Sequence, residues 1–447
     1  MQGFGFSLVS RWPVRQLGEI SDSVDGVIRT GPFGSQLHRS DYTDNPSGLP
    51  VVMPNSIRDG RVDDSSISRI SAETAEQLSV HRMQAGDIVL ARRGDIGRRT
   101  LIDARTSGWV CGTGSLRISV PGGGLEPTYL YYFLGTEGAV GWLRGQAIGA
   151  TMLNLNTDII RRLEIPLPPL EIQRKIAATL AAYDELIENN LRRIEILEEM
   201  AQAVYREWFV NFRFPGHEDV PLVESEMGPI PAGWRATKVE DAHTLRLAKP
   251  QVAAYEGLRR YIATADCRAF HLISPGTTLP FSELPKRAQH QPVANSVWFG
   301  RMANYQKVML FTLRTPELNE MVLSSGFACL RCNSPAWAAY ATAWVLSDDF
   351  EDTKVQHATG TTQVALTDRG ARELPLLEPE EEIVDRFGAL VTPIYELAVV
   401  LRRQNEILGA TRDLLLPKLV SGEIDVSELD IDTDRLASCA TSTTSWS

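Results

Sequence analysis

The stretch Leu180-Ala-Ala-Tyr183-Asp-Glu-Leu-Ile187-Glu-Asn-Asn190-Leu-Arg-Arg-Ile194-Glu-Ile-Leu197 decides the architecture. Its seam residues recur at alternating steps of three and four and continue through Ala201, Val204 and Trp208, which makes one apolar helix face. One polar residue, Asn190, interrupts the face, a device that fixes register at some cost in stability. Upstream, Pro166-Leu-Pro168-Pro169 blocks helix, and Leu170-Glu-Ile172-Gln173 opens one with Glu171 near the positive end of the dipole. At 1.5 Å per residue, a helix from Leu170 to about Phe212 is roughly 60 Å long.

The seam returns near the C-terminus as Val391, Ile394, Ala398, Leu401, Asn405, Leu408 and Leu415, again with one Asn. The recurrence belongs to a longer repeat. A shift of 211 positions places Gly149-Ala-Thr151 on Gly360-Thr-Thr362, Leu155 on Leu366 and Arg161 on Arg372. In the same register Leu163 meets Leu374, Pro168 meets Pro379, and Glu195-Ile196-Leu197 meets Glu406-Ile407-Leu408. Further upstream, Trp12-Pro-Val-Arg-Gln-Leu17 resembles Trp234-Arg-Ala-Thr-Lys-Val239, and Gly114-Ser-Leu116-Arg117 resembles Ala328-Cys-Leu330-Arg331. The chain therefore reads as globular domain, helix, globular domain, helix.

Short apolar runs bounded by turn residues, such as Asp87–Gly94, Trp109–Cys111 and Ser115–Val120, predict strands, and Tyr129–Leu134 predicts the start of a helix towards Leu143. The expected fold class is α+β. It comprises a first domain over 1–165, a central spacer helix over 166–215, a second domain over 216–375, a C-terminal spacer helix over 376–424, and an acidic, Ser/Thr-rich disordered tail over 425–447. The two helices are expected to pair as an antiparallel coiled coil, with the domains at opposite ends and a pseudo-two-fold between them. The alternatives are helices that pack only on their own domains, or a homodimer.

The net charge of −11 argues against a nucleic-acid binder when taken whole. By segment the objection weakens. Residues 1–165 carry 17 basic and 17 acidic side chains and 216–375 carry 16 and 17, whereas 376–447 carries 6 and 14. No run is long and apolar enough to span a membrane and no secretory pattern opens the chain, so a cytoplasmic location is expected. Five scattered cysteines suggest reduced thiols. Cys329-Leu-Arg-Cys332 is a lone CxxC, with Cys267 and His271 as imaginable partners, and without a second pair at ligand spacing no metal site is expected.

Catalytic motifs are missing. The chain has no GxxxxGK[ST], no Rossmann GxGxxG after a strand, no Asn/Asp-Pro-Pro-aromatic tetrad, no HExxH and no GxSxG. What the chain does offer is loops suited to DNA. Thr30-Gly31-Pro-Phe33-Gly34-Ser35-Gln36-Leu37 can bring backbone N–H groups close to a phosphate, or else forms a tight turn whose Phe33 plugs the core. Arg92-Arg93-Gly-Asp-Ile-Gly-Arg98-Arg99 places four guanidiniums around a turn, and Arg clamps phosphate or reads guanine. In the second domain, Lys286, Arg287 and Gln291, then Arg301, Asn304 and Lys307, mix cations and amides suited to phosphates and adenine edges.

These motifs resemble, over essentially the whole chain, the specificity (S) subunits of type I restriction–modification systems. The resemblance rests on Thr30–Leu37, Leu90-Ala-Arg-Arg-Gly-Asp-Ile-Gly97 and Ile165–Gln173, and on Tyr205-Arg-Glu-Trp-Phe209, the linker from Phe214-Pro-Gly-His217 to Gly233-Trp234, and Leu415-Leu-Pro-Lys-Leu419. It implies two target-recognition domains reading the halves of a bipartite double-stranded DNA target, with the helical pair as a ruler for the gap. It also implies docking of two methyltransferase subunits that carry S-adenosylmethionine, and of restriction subunits using ATP and Mg where those exist. This chain itself then holds no cofactor and no catalytic residue. Helix faces bearing Arg192, Arg193, Glu195 and Glu199 become partner surface. The second half departs from the pattern: it lacks a Gly-Pro-Phe-Gly loop, its helix begins Glu380-Glu-Glu-Ile383, and its seam meets Arg412 where the first has Ala201, so looser packing is expected there. The competing readings are the equivalent subunit of a type II system, a coiled-coil scaffold that does not bind DNA, and a chain that itself cleaves or modifies DNA.

Overall fold

The computed structural model describes residues 11–58, 60–147, 154–303, 305–360, 364–434 and 436. The chain divides into two compact units, residues 1–187 with 407–447, and residues 188–406. Both dividing points fall inside long helices, Leu170–Tyr205 and Glu381–Ser421.

In the first unit a four-stranded antiparallel sheet runs in the order Val27–Thr30, Ser115–Ser119, Ile88–Ala91, Arg99–Leu101. A second sheet of four short strands pairs Val110–Cys111 parallel to Leu49–Val52. The strand Val14–Gln16 pairs with Glu164–Pro166, so the start of the domain is clasped to the segment that launches the long helix. The second unit repeats this plan. Its main sheet runs Leu245–Ala248, Phe327–Cys332, Ser296–Gly300, Val308–Phe311, its second sheet also has one parallel pair, and Arg235–Lys238 clasps Pro375–Glu378.

The helices keep the register of the repeat. Glu137–Gln146 and Asp348–His357 are 211 positions apart at both ends, and so are Thr157–Arg161 and Asp368–Arg372. Their N-caps correspond as well. Thr136 accepts from the Ala139 N–H where Ser347 accepts from that of Phe350, and Asn156 caps Ile159 where Thr367 caps Gly370. The repeat therefore reaches back beyond Gly149, although Gly149–Thr151 and Thr361–Thr362 lie outside the described residues. The single helix expected from Tyr129 towards Leu143 is instead two, Pro127–Phe133 and Glu137–Gln146. The break falls at Gly135, where the Arg99 guanidinium occupies the space a Cβ would need, and Thr136 then caps the next helix.

Within each unit the long helices run antiparallel. In the first, Asp184 pairs with Arg412, and Lys175 reaches the Ser427 carbonyl at 2.7 Å. In the second, Asn190 meets Asn405, Glu198 meets Arg402, and Ile194 packs with Ala398 and Leu401. Leu180, Asn190, Ile194, Val391 and Leu401 are buried, while Tyr183, Ile187, Leu197, Ile394, Asn405 and Leu408 are half-buried. One seam residue went unanticipated: Tyr395, fully buried with Val391 and Ala398, displaces Ile394 to the flank. The expected looseness of the second helix is corrected by its packing. Ile383, Val384, Phe387, Val391 and Tyr395 are all buried in one core, and Arg412 is matched by Asp184.

The tail also departs from expectation. Arg11 pairs with Asp425 at 2.9 Å, Val426 is buried, and Ile431 and Leu436 pack on the first unit's core, so the beginning of the acidic segment is part of the fold. Among the described residues no helix is long and apolar enough to cross a membrane.

Candidate nucleic-acid interface

The Thr30–Leu37 loop leaves the edge strand Val27–Thr30, whose partner is the central strand Ser115–Ser119. The Gly31 N–H donates to the Ser115 carbonyl at 2.9 Å, and a Cβ at Gly31 would come within 2.0 Å of the Gly112 oxygen, so only glycine fits. The Phe33 N–H donates to Gln36 Oε1 at 3.1 Å, which closes the turn. Leu37 enters the core, whereas Phe33 is 53% exposed. Phe33 is thus not the plug that one reading of the loop expected; Leu37 fills that role. Phe33, Gly34, Ser35 and Gln36 present an exposed tip.

The four arginines after Ala91 do not fan around one turn. Arg92 is buried, donates from Nε to Asn154 Oδ1 at 3.1 Å, and lies 5.4 Å from the Phe33 ring centre. Burial, reinforced by neighbouring Arg93, lowers the Arg92 pKa. Arg99 donates to the Tyr131 carbonyl at 2.7 Å and lies over that ring, a brace inside the domain. Arg98 is half-buried and spans Asp95 and the Pro54 carbonyl, both at 3.3 Å. Arg93 is the exposed member of the group.

In the second unit Lys286 and Arg287 are exposed. Gln291 is engaged internally, accepting from Arg259 at 2.7 Å and donating to the Leu318 carbonyl. Lys307 donates to the Thr264 carbonyl beneath the Tyr305 ring. Asn304 lies outside the described residues. Arg301 is held by Asp368 at 2.8 Å and by the carbonyls of Leu366 and Phe327.

Arg92 and Arg301 occupy the same place in the two units, a correspondence no constant shift reveals. The Arg92 N–H donates to Gly114 O and its carbonyl accepts from the Leu155 N–H. For Arg301 the partners are Gly326 O and the Leu366 N–H, and Leu155 and Leu366 are themselves repeat equivalents.

A further cluster fastens the second domain to its helices. Arg402 pairs with Glu198, lies 4.3 Å from the Phe270 ring centre and donates to His271 Nδ1 at 3.3 Å. Burial, then the charges of Arg402 and Arg268, push the His271 pKa down to about 4, so its imidazole is neutral at pH 7. On the strand Phe327–Cys332, Cys329 and Cys332 sit in different cores, as positions three apart on a strand must. They cannot chelate together, and burial pushes the Cys329 thiol up to about 12. Among the described residues no group of three or more His, Cys, Asp or Glu side chains is placed to hold a metal ion.

The helices carry an exposed apolar set. Leu191, Ile196 and Met200 are about half exposed beside the exposed charges Arg192, Arg193, Glu195 and Glu199, and Leu390, Val400, Ile407 and Leu414 are equally open on the C-terminal helix.

The chain is a duplicated α+β protein, with a loop-bearing β domain and exposed apolar helix residues in each half. Residues 10–199 match the type I restriction modification DNA specificity domain. The chain is 26% identical over 373 residues to the type I restriction enzyme MjaIX specificity subunit of Methanocaldococcus jannaschii, covering 80% of this chain and 82% of that one. It is 20% identical over 401 residues to the HindI specificity subunit of Haemophilus influenzae, covering 76% and 87%. The crystal structure of an S subunit from M. genitalium superposes with a TM-score of 0.54 at 15% identity, over 94% of this chain and 98% of that one. The chain is thus similar, along most of its length, to type I restriction enzyme specificity subunits, and shares the fold of an S subunit.

Proposed function

We propose that the chain is the non-catalytic specificity subunit of a type I restriction–modification complex, in which each β domain reads one half of a bipartite double-stranded DNA target. The observation that carries this reading is the duplication itself. Two equivalent scaffolds, matched cap for cap and clasp for clasp, support loops that differ in sequence. That arrangement suits two versions of one reading task. The exposed tip Phe33–Gln36 with Arg93, and Lys286 with Arg287 in the second domain, are the candidate contacts. Arg92, Arg99, Arg301 and Gln291 act behind them, shaping the loops from within. The open helix faces dock two methyltransferase subunits, which supply S-adenosylmethionine, and restriction subunits with ATP and Mg where the complex has them.

The modular reading is tested by replacing residues 1–165 with those of a relative. The methylated sequence is expected to change in one half-site only, and a change in both halves or in neither would refute it.

A further inference from the structure

The loop after Ile88–Ala91 and the loop after Ser296–Gly300 join equivalent strand pairs of the two main sheets and have the same length, residues 92–98 and 301–307. Each begins at one of the matched arginines, Arg92 and Arg301. Each rests on the same helix of the repeat, Glu137–Gln146 in the first unit and Asp348–His357 in the second.

The supports differ in kind. In the first unit Gly97, at φ +121°, backs onto Val140, where a Cβ would come within 3.1 Å, and Arg144 donates from Nε to the Ile96 carbonyl at 3.1 Å. In the second unit the support is a lysine sunk in the core. Lys354 is 1% exposed, yet its repeat equivalent is Leu143, an ordinary core residue. Its ammonium lies 2.7 Å from Glu351 and donates to the carbonyls of Gly300 at 3.4 Å and Tyr305 at 3.3 Å. A buried ammonium is costly where leucine would pack as well, so its retention calls for a return. What it holds is the loop, from the residue before it to the residue near its far end. Tyr305, the residue fixed there, is 60% exposed, with the Lys307 ammonium 5.8 Å from its ring centre. An aromatic face beside a cation is suited to a base edge or thymine methyl next to a phosphate.

We infer that residues 92–98 in the first domain, and residues 301–303 with Tyr305–Lys307 in the second, set the bases read there, and that Lys354 is the positioning residue that holds Tyr305 in its reading geometry. The inference rests on the DNA-reading function proposed above and names the segments that perform it.

The test uses the full chain in complex with a type I methyltransferase subunit that binds it, with methylated sites sequenced genome-wide. Lys354→Met keeps the apolar stem and removes the brace. Methylation at sites mismatched in one half is expected to rise about tenfold relative to cognate sites, with the other half unchanged. Tyr305→Ala, an exposed change that spares the core, is expected to relax the same half, and Arg93→Ala the opposite one. An active Lys354→Met complex with both halves intact, or with both relaxed, would overturn the inference. Should Lys354→Met fail to assemble, an unchanged motif with Tyr305→Ala overturns it instead. A parent complex that methylates no bipartite motif refutes the DNA-reading function itself, and this inference with it.

Discussion

Asn190 and Asn405 share an amide hydrogen bond of 2.9 Å, Nδ2 to Oδ1, between the two long helices. Under the 211-residue repeat Asn190 corresponds to Leu401 and Asn405 to Ile194, and that apolar pair packs together in the same seam. The duplication thus holds one polar and one apolar version of a single contact, and the polar version permits only one alignment of the helices.

Removing one partner, as in Asn190→Ala, deletes this bond from the seam and is expected to cost about 1 kcal/mol, read as a lower thermal midpoint. Asn190→Leu with Asn405→Leu is expected to raise the midpoint above the parent while broadening the oligomer distribution seen by light scattering. A double variant that is less stable than either single one would contradict the register role.

The ion pair of Asp184 with Arg412 is the first unit's counterpart of Tyr395 and Ala201, both fully buried in the second. Burial works against the Arg412 charge, and the carboxylates of Asp184 and Asp413 outweigh it, holding its pKa above the ordinary value. Arg412→Ala leaves Asp184 with the Tyr132 hydroxyl at 2.6 Å as its remaining support, and should cost about 1–3 kcal/mol by urea unfolding. Adding Asp184→Tyr installs the second unit's pair and is expected to restore at least half of the loss. No recovery would show that the two sites are not interchangeable.

Tyr129 donates its hydroxyl to the Pro166 carbonyl at 2.9 Å, and Tyr340 donates to Leu377 at 2.7 Å, again matched positions of the repeat. Each bond ties a domain helix to the strand that launches a spacer helix. Tyr129→Phe and Tyr340→Phe are each expected to cost about 1 kcal/mol, and the double variant their sum to within about 0.5 kcal/mol. Strong non-additivity in thermal unfolding would contradict the independence of the two clasps.

Much of this fold was legible in the sequence because helix seams and proline stops are strong local signals. Leu180, Ile194 and Val391 were readable from spacing alone, and their burial follows from it. The caps were hidden because Thr136 and Ser347, like Asn156 and Thr367, do one job with different residues, which identity matching cannot see. Arg92 and Arg301 escaped pairing because chain upstream of the repeat's fixed register differs in length between the halves. The candidate interface was less legible for another reason: an arginine beside a glycine turn has the same sequence signature whether it faces solvent, as Arg93 does, or braces the fold, as Arg99 does. Gln173 shows the same limit. It is fully buried, accepts from the Glu126 N–H and donates to Pro168 and Gly124, while its repeat equivalent is the apolar Val384.

The central claim is that this chain directs methylation to a bipartite sequence. Sequencing methylated DNA from cells that produce the chain with a type I methyltransferase subunit that binds it, against cells producing that methyltransferase alone, tests it most directly. The account predicts a methyladenine motif of two specific halves separated by a fixed gap, present only when the chain is present. The same methylation pattern with and without the chain, both proteins being produced, would contradict it.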